Sequence, residues 1–142
     1  EALCERLEAA GVGPSSGATT LTGGIPDAEK NRLLPRCALG LSLSREEGWG
    51  LSVTEFLAVG LPVVAMDVPV FRDVFPEKID LVPMGDTTAM ATRILHWIQH
   101  PDRALIQSKA GREFIARYDH RDVARREMAA LEEAVARRRV RP

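Results

Sequence analysis

The sequence has few aromatic residues, few cysteines and almost no net charge. Aromatic residues make up 5% of its 142 residues. The two cysteines, Cys4 and Cys37, are far apart and match neither a metal-binding nor a CxxC spacing. We therefore expect buried or half-buried reduced thiols in a cytosolic chain, with no disulfide and no metal. A net charge of −1 gives no indication of an acidic or basic partner.

Long apolar runs are also missing. No stretch of about 18 apolar residues is present, so we expect no transmembrane helix. The opening residues EALCERLEAAG are amphipathic and acidic, unlike the basic and then apolar start of a signal peptide. These patterns favour a cytoplasmic protein.

The composition is that of a globular chain, with 45% apolar and 27% charged residues. Its length suits one domain over residues 1–142. Short apolar runs predict strands, and the runs between them predict helices. The predicted strands are Ala18–Leu21, Cys37–Leu43, Pro62–Met66 and Ile79–Val82, of which Cys37–Leu43 is expected to be buried on both faces.

Helix start and stop residues bound the segments between these strands. Asp27, after Pro26, is expected to cap one helix, and Asp86 or Thr87 another, while Gly60 is expected to end the helix before it. The predicted helices are Glu1–Ala10, Asp27–Leu34, Leu51–Val59, Val70–Phe75, 86–99, Asp102–Arg117 and His120–Arg139.

Strands that alternate with helices indicate an α/β fold, a Rossmann-like parallel sheet with flanking helices. Ligands of such sheets bind at the carboxyl ends of the strands, beside helix N-termini. The segment SREEGWGLSVTE, residues 44–55, connects a predicted strand to a predicted helix at such a place. It is therefore the candidate binding loop.

The residues of this loop suit a phosphorylated sugar. Glycines let backbone N–H groups approach a ligand closely, and the start of the following helix favours an anion such as a diphosphate. Glu55 carries two acceptor oxygens that can bind both hydroxyls of a ribose, and Glu47 can bind sugar hydroxyls on the other side of the diphosphate.

An alternative explanation needs no ligand. Ser52 and Glu55 fit the S-x-x-E capping box, in which Ser52 caps the helix and Glu55 accepts from its N–H. Glu46 and Glu47 are then solvated acids near a helix N-terminus. This explanation leaves the two glycines and Trp49 at a strand end without a role.

The run from Ser44 to Phe75, SREEGWGLSVTEFLAVGLPVVAMDVPVFRDVF, resembles the signature of family 4 ("group 1") glycosyltransferases of the GT-B fold. That signature has an acid, Gly-aromatic-Gly, a spacer, a Glu, small residues with a Gly, and a Pro-Val-Val strand. The flanking segments agree, so that the resemblance covers roughly residues 18–135. It identifies the chain as a partial C-terminal, donor-binding domain.

The resemblance implies a role for each matching residue. Glu47 matches the catalytic-site acid that contacts the donor sugar. Gly48, Trp49, Gly50, Leu51 and Ser52 match the segment that holds the diphosphate and the sugar, with Trp49 in place of the usual phenylalanine. Glu55 matches the ribose ligand. The nucleobase loop corresponds to Ile25, Asp27 and Lys30.

The implied activity is retaining, metal-independent transfer of a hexose, of mannose or glucose type, from a nucleotide-diphospho-sugar such as GDP-mannose or UDP-glucose. No cofactor is implied. The family's cationic Arg and Lys, the first two strands of the sheet and the N-terminal acceptor domain have no counterpart in this sequence. We expect these parts in the rest of the enzyme or in a partner chain, and we expect this chain alone to be inactive. Alternatives are a non-catalytic α/β interaction module and a related nucleotide-sugar epimerase.

The C-terminal segment is rich in arginine. Residues 111–142 contain nine arginines and six acids, and the tail reads Arg137-Arg138-Arg139-Val140-Arg141. Cations suit the negative end of a helix dipole. Contact with a partner lobe, or with anionic lipid at the inner face of the membrane, is a further expectation. Aromatic residues do not interleave with the arginines, so nucleic acid is not expected.

Overall fold

The computed structural model describes residues 2–139, with backbone alone at 2, 3 and 139. The chain divides into two compact units, one up to Leu33 and one from Leu34 onward. The organisation as one domain stays a prediction. Glu1 and the end of the tail, Val140 to Pro142, lie outside the described residues.

The first unit contains two short helices, α1 (Ala2–Ala9) and α2 (Asp27–Leu33). Asp27 is the first residue of α2 and does not cap it, because the Pro26 carbonyl accepts from the N–H groups of Glu29 and Lys30. In α1, the Glu8 carboxylate accepts from the Ser15 N–H and hydroxyl, which lowers the pKa of Glu8.

The strand predicted over Ala18–Leu21 is wrong. These residues form no strand, and the sheet has three strands where four were expected. The Thr19 hydroxyl donates to the Val12 carbonyl at 2.6 Å, so a side chain of this segment bonds to nearby backbone. β-Branched residues favour a strand only when a neighbouring strand is there to pair with them.

The second unit is a parallel three-stranded sheet with flanking helices. Its strands lie in the order β1-β2-β3, and the register pairs Leu41 with Val64 and Ala65 with Leu81. The strands are β1 (Gly40–Ser42), β2 (Val63–Met66) and β3 (Asp80–Val82). The helices are α3 (Leu51–Val59), α4 (Pro69–Val74), α5 (Thr87–Gln99), α6 (Pro101–Ile115) and α7 (His120–Arg139). The expected α/β fold is confirmed.

The central strand β2 divides the core into two layers. All four of its residues are buried, and successive side chains of a strand point to opposite faces of the sheet. On one face Val63 and Ala65 belong to a cluster with side chains of α3, α4 and α6. On the other, Val64 and Met66 pack with β3 and α5.

The edge strand β1 is covered on one face alone, so the expected burial on both faces is wrong. Gly40 and Ser42 are buried, whereas Leu41 and Leu43 are exposed. A Cβ on Gly40 would lie 2.4 Å from the Phe56 ring, which shows how closely α3 approaches this strand. Cys4 is half-buried, as expected, but the expected burial of Cys37 is wrong, because this residue precedes the edge strand and is exposed; both are thiols.

Candidate functional site

The loop of residues 43–50 leaves the carboxyl end of β1 and leads directly into α3. It therefore lies where parallel sheets bind ligands, as predicted. α3 has the predicted bounds, Leu51–Val59, and Gly60 ends it in a left-handed conformation, with the Leu61 N–H donating to the Phe56 carbonyl.

Gly50 is required by the fold itself. Its φ of 95° is a left-handed conformation that costs other residues free energy, and a Cβ there would lie 2.6 Å from Cε1 of Phe71. Gly50 occupies the N-cap position of α3 and supplies no side-chain hydrogen bond to the helix. The start of α3 is thus formed without a polar side-chain cap at that position.

Gly48 differs from Gly50 both in its backbone conformation and in the space around a Cβ. It is exposed, it is not among the glycines with positive φ, and a Cβ there would meet nothing within 4 Å. The described part of the protein therefore gives no steric reason for a glycine at this position. The backbone of Gly48 faces open space, which is what close approach of a ligand requires.

Trp49 fixes the loop through its ring and its N–H. The indole Nε1–H donates to Thr54 Oγ1 at 3.1 Å, and that hydroxyl donates to the Gly50 carbonyl at 3.2 Å. The ring packs edge-on against Tyr118, with centroids 5.3 Å apart, and against Phe75, at 6.3 Å. The N–H that distinguishes tryptophan from phenylalanine is thus bonded within the loop.

The two acidic residues of the motif lie on either side of this loop. Glu47 is half-buried, and its Oε1 accepts from the Ser44 hydroxyl at 2.7 Å, which holds the carboxylate in one orientation. Glu55 is half-buried in the second turn of α3, while Leu51 and Ser52 in the first turn are exposed. The two carboxylates thus flank residues 48–52 in the sequence, of which all but Gly50 are exposed.

The capping-box alternative is wrong in its assignment of the cap. Ser52 is the second residue of α3, and Gly50 is the N-cap. A residue within the helix cannot act as the N-cap, because the N-cap side chain has to reach forward to the N–H groups of the first turn. The chain enters α3 through the left-handed conformation of Gly50 instead.

A bidentate ion pair lies at the same edge of the sheet. Asp67 follows β2, and both of its carboxylate oxygens accept from Arg72, at 2.6 Å from Nε and 2.5 Å from Nη2. Arg72 lowers the pKa of Asp67, and Asp67 raises that of Arg72. The guanidinium fork of Arg72 is therefore already bound to a carboxylate.

The residues predicted to contact the nucleobase lie in the first unit. Ile25 is half-buried before α2, and Lys30 Nζ lies 3.0 Å from Asp27 Oδ1. Their role stays a prediction.

Sequence reasoning missed several residues that hold the loop. Ser44 donates to Glu47 within the loop, and Thr54 accepts from Trp49. Phe75 and Tyr118 pack on Trp49, and Phe114 packs on those two residues. The three aromatic residues lie 26 to 69 positions away from Trp49, and no local pattern brings such distant residues together. The scarcity of aromatic residues is a signal in the sequence, since five of the seven belong to this cluster when Phe71, which packs on Phe75, is included.

Residues 2–139 contain no group of three or more His, Cys, Asp and Glu side chains that could hold a metal ion. Within the same range, every helix is too short or too polar to span a lipid bilayer. His96 and His100 stack on each other along α5, and His120 begins α7, so the three histidines lie outside the motif.

Comparison with known proteins gives consistent matches. The family model of glycosyl transferases group 1 matches residues 5–114. Over 88 residues the chain is 35% identical to a phosphatidyl-myo-inositol mannosyltransferase of Mycobacterium leprae, which covers 61% of this chain and 24% of that protein. Among solved structures, TarM matches 88% of the chain at 23% identity with a TM-score of 0.69, over 26% of its own length. Sucrose-phosphate synthase from Thermosynechococcus elongatus matches 92% at 25% identity with a TM-score of 0.73, over 34% of its length. The chain thus spans about a quarter to a third of the length of these relatives.

Proposed function

The chain belongs to the group 1 glycosyl transferases, and on that premise we propose that it is the donor-binding part of a retaining, metal-independent enzyme. The donor is a nucleotide-diphospho-sugar that carries a hexose. The acceptor is bound by another part of the enzyme, which the relatives' greater length leaves room for.

The contrast between Gly48 and Gly50 carries this proposal. Gly50 is needed to start α3, whereas a Cβ on Gly48 would meet nothing within 4 Å. Gly24 has the same open space, but Gly48 follows the carboxyl end of a parallel strand, where a ligand that contacts its backbone would explain the glycine. The segment from Gly48 to Ser52 leads into a helix N-terminus, where backbone N–H groups and the helix dipole favour a diphosphate.

The two carboxylates then bind the two ends of the donor. Glu55 accepts hydrogen bonds from the ribose diol, with each charge-assisted bond contributing roughly 1.5–3 kcal/mol. Glu47, oriented by Ser44, contacts the sugar near the reacting carbon. Ile25, Asp27 and Lys30 contact the nucleobase. No cofactor takes part.

The charge of the site is expected to weaken donor binding by this chain alone without abolishing it. A diphosphate adds about two negative charges beside Glu47 and Glu55, and like charges at this distance oppose binding unless cations offset them. Arg72 is already paired with Asp67, and exposed Arg45 is the one cation of residues 43–50, too few to offset these charges alone. We therefore assign the offsetting cations to the rest of the enzyme or to a partner chain, and the arginines of α7 to contact with such a partner or with anionic lipid at the inner face of the membrane.

The names of the relatives indicate which donor sugars to test first. The relative from Mycobacterium leprae is named as a mannosyltransferase and one structural relative as a sucrose-phosphate synthase. Mannose and glucose donors, GDP-mannose and UDP-glucose, are therefore the first to test.

The test is a calorimetric titration of the chain with GDP-mannose, UDP-glucose and an ADP-sugar. Wild type should bind one of them saturably, and Glu55→Gln should weaken that binding by about tenfold to a hundredfold. Glu46→Gln is the matched control, because Glu46 is an exposed acid of the same loop. Circular dichroism checks that each variant is folded.

The proposal fails if folded wild type binds none of the three donors. It also fails if Glu55→Gln binds as tightly as wild type, since the ribose contact would then not exist.

A further inference from the structure

Four aromatic side chains form a closed ring of contacts beside the loop. Trp49 packs on Phe75 and Tyr118, and Phe114 packs on the same two residues, with centroid separations between 5.3 and 6.4 Å. All four contacts are edge-to-face, with interplanar angles of 62–73°. Such pairs contribute free energy beyond that of area burial. We call these residues the aromatic quartet.

The quartet joins three parts of the chain. Phe75 follows α4, Phe114 lies at the end of α6, and Tyr118 lies in the connection between α6 and α7. Phe75 and Phe114 belong to the core or pack against it, so they are held by many neighbours. Tyr118 is 43% exposed, and its place is set by the Ile115 carbonyl, which accepts from its backbone N–H, and by the quartet.

Trp49 transmits this packing to the loop backbone. Its indole N–H is bonded to Thr54, whose hydroxyl and backbone N–H both donate to the Gly50 carbonyl. A change in the indole position would break its bond to Thr54, the residue whose hydroxyl bonds to the Gly50 carbonyl. The exposed backbone of Gly48 is next to Trp49 on its other side.

We propose that Tyr118 is a positioning residue of the donor site. It holds the indole of Trp49 and thereby the backbone of residues 48–50 in the conformation that receives the diphosphate. This inference rests on the proposed function. Tyr118 itself touches no ligand. Its aromatic ring, not its hydroxyl, holds Trp49, so phenylalanine at this position should preserve donor binding.

The test compares Tyr118→Ala, Tyr118→Phe and Val123→Ala with wild type in the full chain. Val123 is the control, because it is a similarly exposed apolar residue just beyond the same connection. Two quantities are measured: amide hydrogen exchange of residues 48–54 without ligand, and affinity for GDP-mannose and UDP-glucose.

Tyr118→Ala should speed exchange at residues 48–54 and weaken donor binding, each by about three- to tenfold, the size of one lost aromatic pair. Tyr118→Phe and Val123→Ala should match wild type in both. Melting temperatures separate a positioning effect from general destabilisation, because only the former changes the affinity of the folded protein.

Two results overturn the inference while the proposed function stands: Tyr118→Ala binds a donor as tightly as a wild type that binds, or Tyr118→Phe is as weak as Tyr118→Ala. If wild type binds none of GDP-mannose, UDP-glucose and the ADP-sugar, the proposed function fails, and the role of Tyr118 in the donor site fails with it. Exchange rates then still report whether the quartet holds the loop.

Discussion

Two helices of the second unit, α3 and α7, use their apolar residues in opposite ways. In α3, nine residues long, Val53 and Leu57 are fully buried against the sheet and α6. In α7, twenty residues long, Val123, Met128, Leu131 and Val135 are 47–60% exposed. Both helices have the bounds predicted from sequence, so helix periodicity alone does not reveal which helix is packed.

The difference shows where the described protein is constrained. Gly50, before α3, lies close to Phe71 and Phe75, and Leu57 of α3 lies close to Gly111, so an added methyl group at either glycine would clash. Surface helices tolerate substitutions that leave caps and packing intact. The candidate site therefore belongs to the constrained region, where a precise backbone can be maintained.

The largest contrast is expected from one substitution made in both helices. Leu57→Ala removes a fully buried side chain and should lower the free energy of unfolding by about 2–5 kcal/mol. Leu131→Ala removes an exposed one and should change it by about 0.5 kcal/mol or less. Urea unfolding followed by circular dichroism measures both. Equal losses of unfolding free energy would show that Leu131 of α7 is packed as tightly as Leu57 of α3.

The next contrast lies within the loop. Gly50→Ala places a Cβ 2.6 Å from Phe71 and forces a left-handed conformation on alanine, so it should cost about 2–4 kcal/mol of stability. Gly48→Ala should leave stability within about 0.5 kcal/mol and should weaken binding of the nucleotide sugar. For both glycine variants, urea unfolding measures the stability and calorimetric titration measures the affinity for the nucleotide sugar. A stable Gly50→Ala, or a Gly48→Ala that binds as well as wild type, contradicts the roles assigned to the two glycines.

A smaller effect concerns single hydrogen bonds. Trp49→Phe keeps the ring but loses the bond to Thr54, which should cost about 0.5–1.5 kcal/mol. Glu133→Gln weakens the exposed pair with Arg137 on α7, and such a pair contributes about 0.3–0.5 kcal/mol. Thermal unfolding of both variants tests whether Trp49→Phe loses more stability than Glu133→Gln. A larger loss at Glu133 would reverse the distinction between the two regions.

The smallest effect is one of pH. Arg72 lowers the folded-state pKa of Asp67 below 3.8, so the folded protein binds this proton less readily than the unfolded chain. The pair therefore stabilises the fold above pH 3.8 and loses its effect as the pH falls through the lowered pKa. Acid unfolding of Asp67→Asn should show a shallower fall in this range. An unchanged profile would show that the pair makes no contribution.

Local sequence patterns were sufficient to predict the parallel sheet, the bounds of α3 and the place of the loop. They gave wrong predictions where the structure of a segment depends on residues that are distant in the sequence. Residues 18–21 have strand-forming side chains but no strand beside them, and Leu41 is exposed because β1 lies at the edge of the sheet. Ser52 and Glu55 fit a capping box, yet the backbone of Gly50 sets the start of the helix. The aromatic quartet depends on residues up to 69 positions apart, which only the folded chain brings together.

The most direct test of the donor site is an amide chemical-shift map of the isotope-labelled chain during titration with GDP-mannose and UDP-glucose. Binding as proposed predicts the largest shifts at Gly48, Gly50 and Leu51, further shifts around Glu55, and none along α7. Saturable shifts confined to α7, or a folded protein whose loop amides do not respond to either donor, would contradict it.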